Sequence, residues 1–340
     1  MVLRMMVSVI IITKNNAATI EKCIQSLINQ EYPKELMEII FVDGHSSDGT
    51  DVVIKKYASM FPFIKLYYED VGTMGYARNV GINNSKGEII LFTDADAFPE
   101  KLWIKKMVDA FSNNSKIAIV GGLDILINTD SVQSVVDSWR RLHRSFGIKA
   151  IPKIKTVNFA IRRDILVKIG GFDEKLNHAD EGDLKARVIS EIKDAEILYD
   201  PKIVVYHQRG PMKFSNRMKK LFKKSSMGVP VMLRKHMLRV YLRNISSPSG
   251  TSLCFIFACL LSPLLLLYLL LFPQNLIPIL IGIISIGFVI IAFYTISVKR
   301  ATGKWFLSLP LILVLDIIVR LAGTYYGLIK WFFFRLHRKT

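Results

Sequence analysis

Asp94 and Asp96 stand one residue apart in the stretch GEIILFTDADAFPE, where an apolar run typical of a buried strand comes to an end. Side chains two positions apart on a strand point the same way, so these carboxylates can share one hard divalent cation through their oxygens. Such a pair suits the binding of a metal diphosphate. Because acids at this spacing are also common in solvated turns, the surrounding elements have to decide between the two interpretations.

Five apolar runs alternate with four helical patterns in the first 121 residues. The runs are 7–12, 38–42, 64–68, 88–93 and 117–121, and helices are expected near 17–29, 50–60, 74–84 and 100–112. Continuously apolar strands that alternate with helices are typical of a mostly parallel sheet with helices on both faces. The predicted fold class is therefore α/β.

Ligands of such sheets bind beyond the carboxyl ends of the strands. Polar residues follow three of the predicted strands, and they are Thr13, Lys14 and Asn15, then Asp43, then Asp94 and Asp96. Asp43 could accept a hydrogen bond from a ribose hydroxyl or a base N–H. Arg78 follows two glycines at a predicted helix start, where backbone amides and an arginine favour a phosphate. Taken alone, an arginine on a helix is usually a surface charge.

The charge of the chain is divided near residue 200. Residues 1–200 contain 26 Lys/Arg and 27 Asp/Glu, whereas residues 201–340 contain 20 Lys/Arg and one acid, Asp316. Ten of these Lys/Arg residues lie in 211–243, where they are interleaved with apolar residues, and a hydrophobic stretch follows. Basic residues beside a membrane segment attract anionic headgroups. The sequence therefore favours a membrane surface, and not nucleic acid, as the partner of a juxtamembrane segment at 211–250.

Two uncharged stretches in the expected membrane region, 251–340, have the length of membrane-spanning helices. They are 253–272 and 276–298, close to the roughly 20 residues that cross a bilayer. The basic residues that flank them predict a multi-pass protein of the cell membrane whose N-terminal domain, 1–210, is cytoplasmic. A third stretch, 306–334, contains Asp316 and Arg320 and is either a pair of short interfacial helices or one crossing helix whose two charges neutralise each other.

Four motifs of the N-terminal domain follow one another in a recognisable order: SVIIITKN, FVDGHSSDGT, GYARNVGI and FTDADA. Together they resemble the signature series of the family 2 glycosyltransferases, which have the GT-A fold, over nearly all of residues 6–210. Three positions depart from the family pattern: Ile12 stands for the usual proline, Lys14 for the usual tyrosine and Gly44 for a second acid. These three positions are expected to line the nucleoside, so the sequence does not determine which nucleobase the donor carries.

The resemblance also implies roles for the residues on the donor side. Thr13, with Asn15 beside it, and Asp43 are expected to contact the nucleoside, and Arg78 is expected near the diphosphate. Asp94 and Asp96 are expected to serve the nucleoside and the Mg²⁺ or Mn²⁺ held on it. In the family pattern a histidine after the last strand can complete the metal shell. His207 has that place in VVYHQRG, although a lone histidine is as often structural.

An acidic cluster, ADEGDL, opens a predicted helix on the acceptor side. A sugar hydroxyl is a poor nucleophile until its proton is being removed, and a carboxylate within hydrogen-bond reach can remove it. When the family pattern is aligned on Asp183, its catalytic base corresponds to Glu181, and Asp180 is a second candidate. Asp183 itself is expected to bind substrate. Alternatively, these acids only complement the helix dipole. Trp139, Arg140, Arg141 and His143 are placed near the acceptor without a motif to support them.

The expected function is the inverting, metal-dependent transfer of a sugar from a nucleoside-diphosphate sugar to a membrane-associated acceptor. A lipid-linked glycan is favoured, because a lipid phosphate would already be ionised and would need no base. Transfer to a polyprenyl phosphate, and a catalytically silent nucleotide-binding scaffold, are the alternatives. The first strand is followed by neither GxGxxG nor GxxxxGK[ST], which argues against dehydrogenases and P-loop enzymes. The sequence leaves the oligomeric state open.

Overall fold

The structure is a computed structural model that describes residues 5–127, 154–176, 180–208, 214–234 and 309–336, with the single positions 261, 268 and 271. Two compact units are present. The first contains the described residues up to 127 and those of 154–208, and the second contains the described residues from 214 onward.

Eight strands of the first unit form one sheet in the order β3-β2-β1-β4-β7-β6-β8-β5. In chain order they are β1 Val7–Thr13, β2 Met37–Asp43, β3 Ile64–Tyr68, β4 Ile89–Asp94, β5 Ala97–Pro99, β6 Ile117–Ile127, β7 Phe159–Arg162 and β8 Glu196–Gln208. The strands β3, β2, β1 and β4 are parallel to their neighbours in that block. All five strands that the sequence predicts are present.

The sheet is mixed, and most of its strands run the same way, as predicted, because β6 and β8 are parallel to each other and to β3, β2, β1 and β4. Strand β7 runs antiparallel to both β4 and β6, and β5 runs antiparallel to β8. Apolar runs identify a buried strand but carry no information on its direction, so the reversal at β7 could not be foreseen from them.

Among the described residues of the first unit, six helices flank the sheet: α1 Ala17–Ile28, α2 Thr50–Met60, α3 Met74–Asn83, α4 Trp103–Asn113, α5 Arg163–Lys168 and α6 Asp180–Glu191. Two separate apolar cores show that both faces are covered. One joins α1, α2 and α4 to the sheet and the other joins α3, α5 and α6. Within β1, Val9 and Ile11 belong to the first core and Ile10 to the second, as the alternation of a strand requires. The helices expected on both faces are thus confirmed.

Helix α3 is held against the chain that leads to α6. A β-carbon at Gly75 would lie only 2.1 Å from the carbonyl oxygen of Asp173, so only glycine permits this approach. The Asn79 side chain donates to the Phe172 carbonyl at 2.9 Å and accepts from the Phe172 N–H at 2.9 Å. These contacts fix the start of α3 relative to the segment that precedes the acidic cluster.

The second unit contains helices α7 Phe214–Met232 and α8 Leu309–Leu336. The alternative of two short helices at 306–334 is wrong, because α8 is one continuous helix. Its Asp316 is buried and binds Arg217 of α7, with 2.6 Å between Nη2 and Oδ2. The charge pair that the second alternative placed within one helix is thus formed between two helices. Gly323 lets the helices approach, since a β-carbon there would lie 2.6 Å from the Phe222 carbonyl oxygen.

Among the residues that the structure describes, no helix combines the length and the apolar character needed to cross a bilayer. The predicted spans 253–272 and 276–298 lie outside the described residues, apart from three positions in the first.

Candidate active site

Asp94, Asp96 and His207 come together at one edge of the sheet. Asp94 ends β4, and His207 lies on β8 opposite Ala97 of β5. The Asp96 carbonyl accepts from the Gln208 N–H at 2.8 Å, which holds the turn after β4 against β8. His207 Nε2 lies 3.0 Å from Asp96 Oδ1 and 3.9 Å from Asp94 Oδ2. One ligand atom from each residue lies within 4.8 Å of the others.

The donor set of this cluster fits a divalent metal ion such as Mn²⁺. Two carboxylates and one imidazole combine the oxygen and nitrogen ligands that this ion accepts. Burial raises the pKa of Asp94, and the negative charges of Asp96 and Glu181 raise it further, against the lowering effects of His207 and Arg78. A cation bound there would relieve this repulsion between carboxylates. His207 is 2% exposed, and its Nδ1 has no hydrogen-bond partner among the described residues.

Asp180, at the start of α6, forms a buried ion pair with Arg78 of α3. Burial raises the pKa of Asp180 and Glu181 adds to that effect, whereas the guanidinium of Arg78 lowers it. Arg78 also lies over the Phe172 ring, with its Cζ 5.2 Å from the centroid. Asp180 is therefore engaged in packing α3 against α6, and is less suited than its neighbour to accept a proton from a substrate.

Glu181 is held by a residue that the sequence interpretation missed. The backbone N–H of Thr156 lies 3.4 Å from Glu181 Oε2, and the Thr156 hydroxyl lies 3.3 Å from the same oxygen. The hydroxyl also accepts from Arg78 Nη2 at 3.1 Å. Thr156 begins a single 3₁₀ turn before β7 and is 5% exposed. Its only signal in the sequence is a polar residue directly ahead of the apolar segment VNFAI.

The loops after β1 and β2 are joined by side-chain hydrogen bonds. The fully buried carboxylate of Asp43 accepts from the backbone N–H and the hydroxyl of Ser46, each at 2.6 Å. Asn15, with φ of 56°, donates its backbone N–H to Ser46 Oγ at 2.8 Å and accepts from the Ser47 N–H at 2.9 Å. Thr13 donates its hydroxyl to the Asn16 side chain at 3.0 Å. Direct contacts of Thr13, Asn15 and Asp43 with a nucleoside stay predictions.

Asp183 is fully buried and is not exposed to substrate in this structure. It has no exposed area, and its Oδ2 accepts from Arg187 Nε at 2.9 Å. Arg187 in turn donates to the carbonyls of Ile169 and Gly171. Asp183 thus stabilises the base of α6, and its contact with a substrate stays a prediction. Trp139, Arg140, Arg141 and His143 lie outside the described residues.

In comparison with known families, residues 8–172 match the model of "Glycosyl transferase family 2". Among curated proteins the chain is 31% identical over 172 residues to glycosyltransferase AglE of Haloferax volcanii, covering 50% of this chain and 57% of that protein. It is 37% identical over 123 residues to a dolichyl N-acetyl-α-D-glucosaminyl phosphate 3-β-D-2,3-diacetamido-2,3-dideoxy-β-D-glucuronosyltransferase of Methanococcus voltae, covering 34% and 38%. The chain thus spans from over a third to somewhat more than half of the length of these relatives.

Solved structures share the architecture at low identity. Mannosyltransferase PcManGT from Pyrobaculum calidifontis, in complex with GDP-Man and Mn²⁺, matches with a TM-score of 0.58 and 19% identity, covering 94% of this chain and 87% of that one. S. aureus TarS 1–349 in complex with UDP-GlcNAc matches with a TM-score of 0.54 and 17% identity, covering 94% and 90%. These similarities confirm the expected α/β fold of the GT-A type, and the sequence matches are to proteins named glycosyltransferases, the expected class of enzyme.

Proposed function

We propose that this chain, whose residues 8–172 match the model of "Glycosyl transferase family 2", transfers a sugar, with inversion, from a nucleoside-diphosphate sugar to a hydroxyl of a membrane-held glycan. The observation that carries the proposal is the convergence of Asp94, Asp96 and His207 at the sheet edge, with Glu181 close enough to raise the pKa of Asp94. A cation site and a separate carboxylate are the two groups that this reaction needs.

The donor half of the site is assigned to the cation cluster. Asp94, Asp96 and His207 would hold Mn²⁺ or Mg²⁺, which when bound supplies positive charge that stabilises the departing diphosphate. Arg78 adds a fixed positive charge near Asp94, since it lowers the pKa of that carboxyl. The guanidinium is 4% exposed, so it acts through its field and by holding Asp180 and Thr156 in place.

The acceptor half is assigned to Glu181. As the acceptor oxygen forms its bond to the anomeric carbon and the bond to the diphosphate breaks, the hydroxyl proton passes to Glu181. A single displacement of this kind inverts the anomeric centre. Glu181 is preferred to Asp180 as the base because Asp180 already faces the Arg78 guanidinium, whereas the Glu181 carboxylate is oriented by Thr156.

The acceptor is proposed to be a lipid-linked glycan at the cytoplasmic face of the cell membrane. Support comes from the basic segment 211–243 and the apolar stretches of the sequence. The names of relatives also include a dolichyl phosphate-linked acceptor and a monoglucosyldiacylglycerol synthase. A carboxylate base suits a hydroxyl acceptor better than an ionised lipid phosphate.

The test is a screen of purified full-length chain in nanodiscs against UDP-, GDP- and dTDP-sugars with Mn²⁺. We expect at least one donor to raise the melting temperature and to be slowly hydrolysed, and lipid-extracted glycans then to accept the sugar. If no nucleotide raised the melting temperature, the result would contradict the proposal and favour the catalytically silent scaffold.

A further inference from the structure

Glu69 is an acid at the carboxyl end of β3 to which the mechanism assigns no role. It directly follows the strand and is 7% exposed. Its backbone N–H donates to the Asp43 carbonyl at 3.1 Å, and the Gly44 N–H donates to the Thr13 carbonyl at 2.9 Å. The ends of β3, β2 and β1 are thereby joined, and Glu69 is fixed beside the two loops that lead into α1 and α2.

The two oxygens of Glu69 have different surroundings. Oε2 accepts from the backbone N–H groups of Val71 and Gly72 at 3.0 and 2.7 Å, which sets the orientation of the carboxylate. Oε1 has no hydrogen-bond partner among the residues that the structure describes. It faces Gly44, where a β-carbon would lie 3.0 Å from it and 3.5 Å from Cδ of Lys14. An oxygen of this largely buried residue therefore faces a position that a side chain at residue 44 would fill.

The position of this oxygen relative to the cation cluster indicates what it meets. In the strand order β3-β2-β1-β4, Glu69 follows the outer strand β3 and Asp94 ends the outer strand β4 on the other side. Neighbouring strands lie about 4.8 Å apart, so the two ends are separated by roughly 14 Å. An extended nucleoside diphosphate can reach across such a distance. If its diphosphate lies at Asp94 and Asp96, its base lies at Glu69.

We propose that Glu69 Oε1 reads the nucleobase by accepting a hydrogen bond from a ring N–H. This inference rests on the proposed function and narrows the donor to nucleotides whose base carries such a hydrogen: uracil, thymine or guanine. In cytosine and adenine the corresponding ring nitrogen is an acceptor, and its lone pair would face the carboxylate oxygen. A site that places two acceptors together discriminates against the wrong ligand, because neither group can satisfy the other once both are desolvated.

The test compares nucleotide affinities of the wild type and Glu69→Gln by calorimetry with UDP, GDP, dTDP, CDP and ADP, each with Mn²⁺. In the variant the amide oxygen keeps the bonds to Val71 and Gly72, while an NH₂ donor replaces Oε1. The wild type should bind at least one of UDP, GDP and dTDP about tenfold or more tightly than CDP and ADP. In Glu69→Gln the preferred nucleotide should lose about tenfold in affinity, and CDP should gain.

Glu191→Gln is the matched control, because it removes one acidic charge at the exposed end of α6. It should leave all five affinities unchanged. Gly44→Ala is a second probe that leaves the acid intact. Its methyl group narrows the approach to Oε1 and should also weaken the preferred nucleotide, which keeps the inference testable if Glu69→Gln folds poorly.

The outcomes separate the inference from the proposed function. Nucleotide binding by the wild type with unchanged selectivity in Glu69→Gln, or an equal loss for all five nucleotides, would overturn the role of Glu69 and leave the proposed function intact. A wild type that binds no nucleoside diphosphate with Mn²⁺ would overturn both.

Discussion

Arg78 and Asp180, which lie 102 residues apart in the chain, form a buried ion pair between α3 and α6. The pair explains why two adjacent acids, Asp180 and Glu181, have different surroundings. One is neutralised by a guanidinium, and the other is oriented by Thr156. The following predictions test that division of roles and the cation site beside it.

Glu181→Gln should lower kcat by roughly 10²–10⁴-fold, because the group that accepts the hydroxyl proton is lost. Its melting temperature should stay close to that of the wild type. Steady-state transfer assays and calorimetric scans measure the two quantities. A variant with wild-type kcat would show that Glu181 is not the base.

Asp180→Asn should act first on stability. Removing one partner leaves the buried Arg78 without its counter-charge, at a cost of about 3–5 kcal/mol in the free energy of unfolding. Denaturant titrations of the wild type, Asp180→Asn and Glu181→Gln check this order. If Asp180→Asn were as stable as the wild type but inactive, Asp180 would replace Glu181 as the favoured base.

Thr156→Val should reduce kcat with little change in KM, because it removes the hydroxyl that bonds to both Glu181 and Arg78. We expect about tenfold, the equivalent of one hydrogen bond to a charged group. Thr156→Ser keeps the hydroxyl and should restore most of the rate, which a loss through packing alone would not predict. Equal rates for the valine and serine variants would argue against positioning by the hydroxyl.

Asp96→Asn should weaken the binding of Mn²⁺ by roughly 100-fold or more, because a ligand is lost from a three-residue cluster. The measurement is the rise in melting temperature on titration with Mn²⁺, with Glu35→Gln as a control that removes one exposed acid elsewhere. Transfer should fall in parallel with metal affinity in the Asp96 variant only. An undiminished response to Mn²⁺ would place the cation elsewhere.

The pH dependence of stability should report Glu38, a buried acid of β2. Burial tends to raise the pKa of Glu38, but hydrogen bonds from Lys65, Ser8 and the Lys86 N–H lower it overall. Because the pKa in the folded state is depressed, the stabilisation is present above the unfolded pKa of about 4.3 and is lost as the pH falls through the folded value.

Glu38→Gln should therefore cost about 1–3 kcal/mol at pH 7, and the difference from the wild type should shrink as the pH falls below about 4. Urea titrations between pH 7 and pH 3 measure that difference. A constant difference across this range would mean that the ionised state of Glu38 does not matter.

Much of the first unit could be predicted because its signals are local. The apolar runs give β1 to β4 and β6, and the polar residues that follow them identify the edge where Asp94 and Asp96 lie. The direction of β7 has no such signal. Thr156 and Glu181 are 25 residues apart, and nothing in either segment indicates the other.

Other parts of the site depend on contacts that no sequence pattern encodes. Arg78 was expected near a diphosphate, which stays a prediction, and the structure adds that its guanidinium binds Asp180 and Thr156. One of the two alternatives for 306–334 paired Asp316 within its own helix, but Arg217 of another helix binds it. In both cases a charge is neutralised by whichever opposite charge the fold brings near, and that is a property of the tertiary structure.

The hydrogen bond from the Gln208 N–H to the Asp96 carbonyl ties the turn that bears the tandem acids to the last strand, which also carries His207. The stretch matched to the family ends at residue 172, before this strand begins. An expression fragment trimmed at that boundary would keep both aspartates and lack the imidazole. During translation, likewise, His207 is missing until β8 has left the ribosome, so the proposed cation site would be completed only late in the synthesis of this domain.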